Sequence, residues 1–440
     1  MKTNSLGLVF FPAFDWAISP THPEREERLL YTRDQIVEEG LLDIPAIREY
    51  KPRMADIQDA ERVHIGVPDI ASLITDAHLV SAGGAITAAE AVMRREIKRA
   101  FALVRPPGHH SMRVVHGTRG FCTINTEAIM IEYLRQHYGI RKIAIVDTDV
   151  HHGDGTQDIF YHDPDTLFIS FHQDGRTLYP GTGAVEELGS PGALASTVNI
   201  PLPPGTTDQG LHYVLDNLIL PMLEDYQPEI IINSAGQDNH YSDPLANMAV
   251  TAQGYAKLAE KLKADIAVLE GGYSIEDALP YVNVGIILAM AGQDYSKVIE
   301  PDIARCPRQS DSTTAYIEQL VSRWRGIWNE REQLKREAVA KAGGVWRRKR
   351  RVYYDDSGID EHQTEVARLC PKCQGYLTVA TEAAGHPFGH KSAFAAVIFR
   401  NSCPECRREA RDAVVRARKE GEYQHYYIQD KSEDRLEKLK

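Results

Sequence analysis

Cysteine is scarce in this chain: six residues in 440. A secreted fold stapled by disulfides needs a far higher density, so that class is excluded. No run of about 18 apolar residues occurs, which excludes a spanning helix, and no membrane partner is expected. The nearest approach to a signal peptide, MKTNSLGLVFFPAFDWAIS, is broken by Pro12 and Asp15 and has no small-x-small cleavage site after it. It reads as a first strand, and a cytoplasmic protein is expected. Internal repeats and low-complexity tracts are also missing. What remains is 43% hydrophobic and 25% charged, the composition of an ordinary folded protein. At about 150 residues per domain, the length suggests two or three domains, or one large domain with an appendage.

Charge is unevenly spread. The chain has 50 basic and 62 acidic side chains, a net charge of −12. Residues 1–322 hold 25 basic and 44 acidic groups (−19), and residues 323–440 hold 25 basic and 18 acidic (+7). The front should attract cations and the back anions. The cysteines divide in the same way. Cys122 and Cys306 are scattered, whereas Cys370, Cys373, Cys403 and Cys406 form two CxxC pairs in the back.

The front alternates between short apolar runs and helical segments. The runs are Leu6–Phe10, Phe101–Val104, Ile143–Val146, Thr166–Ser170, Ile230–Asn233 and Ile266–Leu269. Their near-continuous apolar character suits strands covered on both faces. Helices are expected over Leu79–Ala100, Asn125–His137, Leu211–Tyr226 and Thr251–Ala264, so a parallel sheet wrapped by helices follows. A long polar helix is expected over 312–342, anchored by Trp324 and Trp328 and ended by Gly343-Gly344. WRRKRR (346–351) opens the last segment.

Every unusual polar cluster begins where an expected strand stops. These are RPPGHH (105–110), DTDVHHGDGT (147–156), FHQ (171–173), NSAGQDNHYSDP (233–244) and EGGYS (270–274). Ligands of open parallel sheets bind beyond the carboxyl ends of the strands, so these loops should converge on one site. In DTDVHHGDGT, Asp147, Asp149 and His151 alternate and share one side of an extended segment. Carboxylates with an imidazole make a site for Zn²⁺, or alternatively Fe²⁺. Asp149 and His151 supply two ligands, and Asp243 in SDP is the expected third. The pair His109-His110 offers a neutral imidazole as general base. Asp147 and Asp154 are placed to fix histidine tautomers. Tyr273, after two glycines, can donate to a developing oxyanion.

Together these motifs resemble the histone deacetylase and acetylpolyamine amidohydrolase superfamily. The likeness spans roughly residues 6–300 and adds HPERxxRL (22–29), RVH (62–64), GFCTIN (120–125), LYPGTG (178–183) and DP with LANM (243–248). It implies a three-layer α/β/α arginase-like fold with a mainly parallel eight-stranded sheet. It also implies a catalytic zinc on Asp149, His151 and Asp243. The tandem histidines His109 and His110 would be paired with Asp147 and Asp154, and Tyr273 would polarise the amide. Potassium would sit near Asp147 and Ser170. Phe121 and Tyr179, with Gly120 and Gly272, would wall a tunnel for a linear acylated amine, and Asp76 would match a substrate-holding rim acid. Three positions depart from the pattern: Thr126 for Asn, Tyr179 for Phe, and Gln237 for Phe.

The two CxxC pairs indicate a structural zinc in a ribbon-like module. His386 and His390 are alternative ligands, and a small sheet-poor segment would draw much of its folding energy from the metal. The expected division is a catalytic domain (1–310), a helical linker (311–345) and a basic four-cysteine module (346–440). WRRKRRVYY mixes cations and aromatics, which suits nucleic acid or an acidic protein. The expected activity is removal of acetyl or another short acyl from lysine in proteins. Acetylated polyamine is the alternative substrate, and a non-catalytic acyl-lysine-binding module the alternative of another class. The state of oligomerisation is not legible in the sequence.

Overall fold

In a computed structural model, residues 4–14 and 16–439 are described; Asp15 lies outside them. Residues up to 310 hold strands β1 (Asn4–Phe11), β2 (Ile47–Tyr50), β3 (Ile65–Gly66), β4 (Ile97–Val104), β5 (Val114–Val115), β6 (Ile143–Asp147), β7 (Thr166–Gln173), β8 (Thr197–Leu202), β9 (Ile230–Ala235) and β10 (Ile266–Leu269). Eight of them form one parallel sheet in the order β2-β1-β4-β10-β9-β6-β7-β8, while β3 and β5 pair apart. Apolar clusters cover both faces. Leu8, Leu103 and Val146 face one, and Val9, Ala102 and Ile145 face the other, giving the three layers α/β/α.

Six of the eight strands coincide with the apolar runs of the sequence. The other two are the sheet edges. β2 buries only Ile47 and so lacks an apolar run. β8 contains Pro201, which an edge strand tolerates because its outward N–H is not needed. The helix expected over Leu79–Ala100 is instead Asp76–Met93, because Ile97–Val104 pairs with β1.

The long helix spans Asp311–Ala342, between the Ser310 cap and Gly343 at φ +60°. It is not a free linker. Ile317, Leu320, Val321, Trp324 and Trp328 join the catalytic domain's main core. The indoles of Trp324 and Trp328 donate to the Asn199 carbonyl (2.7 Å) and to Asp225 (2.9 Å). Truncating a buried Trp such as Trp324 costs about 3–5 kcal/mol.

The last segment corrects the expectation of a sheet-poor ribbon. It has six strands: β11 (Val345–Tyr354), β12 (Ile359–Cys370), β13 (Cys373–Gly385), β14 (Gly389–Ile398), β15 (His425–Asp430) and β16 (Arg435–Leu439). They form one sheet in sequence order, antiparallel except for β14 with β15. The helix Pro404–Glu420 covers one face through Ala410, Val414 and Ala417. The other face packs Leu377, Val379, Ala395 and Val397 against Ile65, Val67 and Val114 of the catalytic domain. The module is therefore docked as a layer, and the short strands β3 and β5 meet it.

The basic run is β11, and the alternation of a strand splits it. Arg348 and Arg350 turn inward to Glu365 and to Asp158 of the catalytic domain, with Arg350–Asp158 at 2.6 Å. Only Arg347, Lys349 and Arg351 remain exposed among its cations. Two of the five cations read as a nucleic-acid or acidic-protein contact are thus spent within the protein.

Candidate active site

The loops after β4, β6, β9 and β10 gather at the carboxyl edge of the sheet. Asp149, His151 and Asp238 offer ligand atoms that all lie within 4.8 Å of one another. His151 Nδ1 stands 3.1 Å from Asp149 Oδ1 and 3.1 Å from Asp238 Oδ2. Two ligands of a tetrahedral ion with bonds of about 2.0–2.1 Å are separated by about 3.3 Å, so the spacing fits. The charge fits as well. Burial raises the Asp238 carboxyl, and the charge of Asp149 raises it further. Burial would lower His151, yet Asp149 and Asp238 hold it up at about 10. Such a concentration of buried negative charge suits a cation.

Asp243, expected as the third ligand, is buried beside this trio: burial and then the charge of Asp238 raise its carboxyl to about 7, while the charge of His151 opposes. Its Oδ1 accepts from the Leu245 amide (2.9 Å), and its Oδ2 from the amides of Tyr273 (2.7 Å) and Ser274 (3.3 Å). It ties the β9 loop to the β10 loop, and Asp238 Oδ1 likewise accepts from the Val150 amide (2.9 Å).

The tandem histidines are differently held. His109 Nδ1 is 3.1 Å from Asp147 Oδ2, and His110 Nδ1 is 2.8 Å from Asp154 Oδ1. Burial opposes charge on both rings. For His109 the nearby Asp149, Asp147 and Glu270 outweigh burial and raise its pKa to about 10. For His110, burial and then the charge of His109 prevail, lowering it to about 3. Glu270 also fixes the loop, because its Oε2 accepts from the amides of Gly108 (2.8 Å) and His109 (3.1 Å). Arg119 donates to Asp154 Oδ1 (2.8 Å), which keeps that carboxylate ionised.

Tyr273 is buried, and burial pushes its hydroxyl well above the usual value, so it remains a donor. Its loop hangs on a buried network that gives HPER its purpose. Glu24 bridges Arg28 (3.0 Å) and Arg105 (2.7 Å). Arg28 donates to the carbonyls of Glu270 and Gly272 and lies 4.9 Å over the Tyr273 ring. Gly272 adopts φ +121°, a conformation that favours glycine, and Gly120 at φ +52° has no room for a Cβ beside His110. The histidine of RVH, His64, joins the Met112 carbonyl (2.8 Å) to the Asn125 amide (2.8 Å).

Phe121 and Tyr179 flank the centre. Phe121 meets Tyr273 edge-on at 5.5 Å, and Tyr179 meets His110 at 5.2 Å and His151 at 6.2 Å. Asp147 and Ser170 are register neighbours on β6 and β7, with Ser170 Oγ 2.9 Å from His172 Nδ1. Gln237 is buried and donates to Asn283, so it belongs to the packing under the loop. Asp76 is exposed as the first residue of the helix Asp76–Met93 and makes no hydrogen bond or ion pair to the site residues.

A second cluster is formed by Cys370, Cys373, Cys403 and Cys406, whose sulfurs also lie within 4.8 Å of one another. The first pair closes the β12–β13 hairpin, and the second opens the helix Pro404–Glu420. The Cys406 amide lowers the Cys403 thiol to about 7, toward the thiolate a metal needs. His386 and His390 lie at the far, β13–β14 end and take no part.

Ligands for a cation, a neutral imidazole beside it and a protonated phenol on the adjoining loop are the groups needed to split a bond with water. The protein is thus of the metal-dependent hydrolase class. Comparison with known proteins narrows this. Residues 69–285 match the histone deacetylase domain. A protein of Archaeoglobus fulgidus named "Probable deacetylase" is 47% identical over 311 residues, covering 64% of this chain and 85% of that one. A histone deacetylase-like amidohydrolase of Pseudomonas aeruginosa is 34% identical over 222 residues, 48% of this chain and 57% of its own. Among solved structures, the crystal structure of the HDA15 HD domain aligns with a TM-score of 0.64 at 27% identity, covering 77% of this chain and 98% of that one. The chain belongs to the histone deacetylase family and is a hydrolytic deacetylase. Residues 346–440 lie outside the region matched to the family domain. Among the described residues, no helix is long and apolar enough to cross a membrane.

Proposed function

We propose that the protein hydrolyses the amide joining a short acyl group, acetyl above all, to the side-chain amine of lysine in proteins. The observation that carries this is the convergence of Asp149, His151 and Asp238 with neutral His110 between aromatic walls. Phe121 and Tyr179 suit the methylene chain of an acylated lysine, and plant relatives named histone deacetylases point the same way.

A Zn²⁺ ion, or Fe²⁺, held by Asp149, His151 and a carboxylate of the β9 loop, Asp243 or Asp238, would polarise the acyl oxygen and lower the pKa of a water toward about 7. The other roles fall to side chains. His110 carries its proton on Nδ1, facing Asp154, so Nε2 is free to take the proton of the attacking water. His109 stays protonated between carboxylates and supplies positive charge. The Tyr273 hydroxyl donates to the oxygen that gains charge. The proton collected by His110 then goes to the leaving amine. Asp147 and Ser170, with the carbonyls of Asp149, His151 and Phe171, are proposed to hold a potassium ion. The four cysteines are proposed to hold a structural zinc.

A second substrate, acetylated polyamine, is favoured by one observation: the carboxylates of Asp355 and Asp356 lie against the wall residues Tyr179 and Phe121. A turnover panel decides between the two, pairing acetyl-lysine peptides with acetylputrescine and acetylspermidine. Turnover of peptides at least tenfold faster supports the lysine reading, and the reverse ranking replaces it.

A further inference from the structure

The turn between β11 and β12 reaches from the appended module into the active-site loop. Four consecutive residues of that loop bond to it. The Thr118 amide donates to Ser357 Oγ (2.9 Å), and Arg119 Nε to the Tyr353 carbonyl (3.0 Å). The Gly120 amide donates to Asp355 Oδ1 (3.1 Å), and the Phe121 amide to Asp356 Oδ2 (2.8 Å). The Tyr179 hydroxyl donates to the same Asp355 Oδ1 (3.1 Å). Both aromatic walls are therefore tied to one turn, some 235 residues from Phe121 in sequence.

The loop needs such support. Phe121 sits at φ +67°, in the left-handed region that a non-glycine residue enters at about 1–2 kcal/mol. Strained conformations of this kind persist where the surroundings over-determine them. Here the ring is pinned between His22 (4.4 Å) and Tyr273 (5.5 Å), and the amide is pinned by Asp356. Arg119 extends the brace inward, since its guanidinium also holds Asp154, the partner of His110. The turn itself is anchored from behind by the Tyr354 hydroxyl, which donates to the Val114 carbonyl (2.8 Å).

We propose that Asp355 and Asp356 of the appended module are positioning residues of the active site, setting Phe121 and Tyr179 as the walls that receive the acylated chain. The module is then a working part of the substrate channel. The inference rests on the deacylation reading for its effect on kinetics, and on geometry alone for its effect on the loop.

The test uses the full chain with Asp355 and Asp356 each changed to Ala and to Asn. An Asn oxygen still accepts from an amide or a hydroxyl, whereas Ala does not. Expected is a KM for an acetyl-lysine peptide raised about tenfold or more in Asp356→Ala, with kcat within about threefold and metal content unchanged. Asp356→Asn should stay within about twofold of the parent. Hydrogen exchange of the segment 118–121 should quicken about tenfold in the Ala variant and not in the Asn variant. Asp355, which is exposed, gives the same comparison should Asp356→Ala fold poorly. Unchanged KM and exchange in the Ala variants would overturn the proposal, as would Asn variants as impaired as Ala. A parent chain that cleaves no acylated amine would instead overturn the function, and exchange would still judge the brace.

Discussion

His151 Nδ1 stands 3.1 Å from the carboxylate of Asp238, 87 residues later in the chain. The contact sets Asp238 beside Asp149 and His151, with Asp243 of the same loop as the other buried carboxylate at the site. Asp238→Asn should lower the metal content from two ions per chain to one, with the four-cysteine ion as internal reference. Asp243→Asn should keep both ions, because an Asn oxygen can still accept from the Tyr273 amide. Elemental analysis of the purified variants checks this, and the opposite pattern would restore Asp243 as the ligand.

Tyr273→Phe should retain both metals and lose turnover. Loss of one oxyanion donor costs about 3 kcal/mol, or about 100-fold in kcat. Near-normal kcat in that variant would remove Tyr273 from the reaction.

His110→Ala should lower kcat by about 10²–10⁴, the usual contribution of a general base, with KM little changed. His110 rather than His109 is proposed for this role, because burial and the charge of His109 lower its pKa while carboxylates raise that of His109. A larger loss in kcat for His109→Ala would reverse the assignment.

Cys403→Ser should release the ion of the module and lower Tm. The site joins the β12–β13 hairpin to the helix that covers the sheet. Metal analysis and a thermal scan in the same buffer check both, and an unchanged Tm would leave the cluster without a structural role.

Module docking should weaken in acid. Burial alone would raise Glu132, but Lys431, Arg135 and Arg400 outweigh it and hold it down at about 2, below its ordinary 4.5. Lys431 itself is pushed down to about 8, chiefly by burial, because Arg113 and Arg135 oppose the pull of Glu132. The gain therefore lies with the carboxylate. Between pH 4.5 and 2 the unfolded chain binds more protons, so the stabilisation is complete above 4.5 and fades as pH falls through 2. The full shift corresponds to about 3 kcal/mol. The stability difference between the parent and Glu132→Gln should be near that size at about pH 6 and vanish near pH 2. A difference independent of pH would exclude the charge as its source.

Much of the fold was legible because its information is local. Continuous apolar runs mark central strands buried on both faces, and polar motifs starting where those runs end mark the catalytic edge. Asp149, His151, His109, His110 and Tyr273 could thus be picked out by position alone. The Gly343-Gly344 end and the two indoles likewise announced the long helix.

What the amino-acid order could not decide was which groups meet after distant strands pair. Asp238 and Asp243 are chemically equal in the sequence. Only the folded loop brings Asp238 to 3.1 Å from His151 and hangs Asp243 on the Tyr273 amide. Arg348 and Arg350 look like free cations until the twofold alternation of β11 turns them toward Asp158 and Glu365. Asp355 and Asp356 look like any hairpin turn until the module docks through Leu377, Val379 and Ala395. Local pattern determines what each segment becomes, because backbone geometry and burial act over a few residues. Partnership between segments is set by long-range packing, which only the tertiary structure supplies.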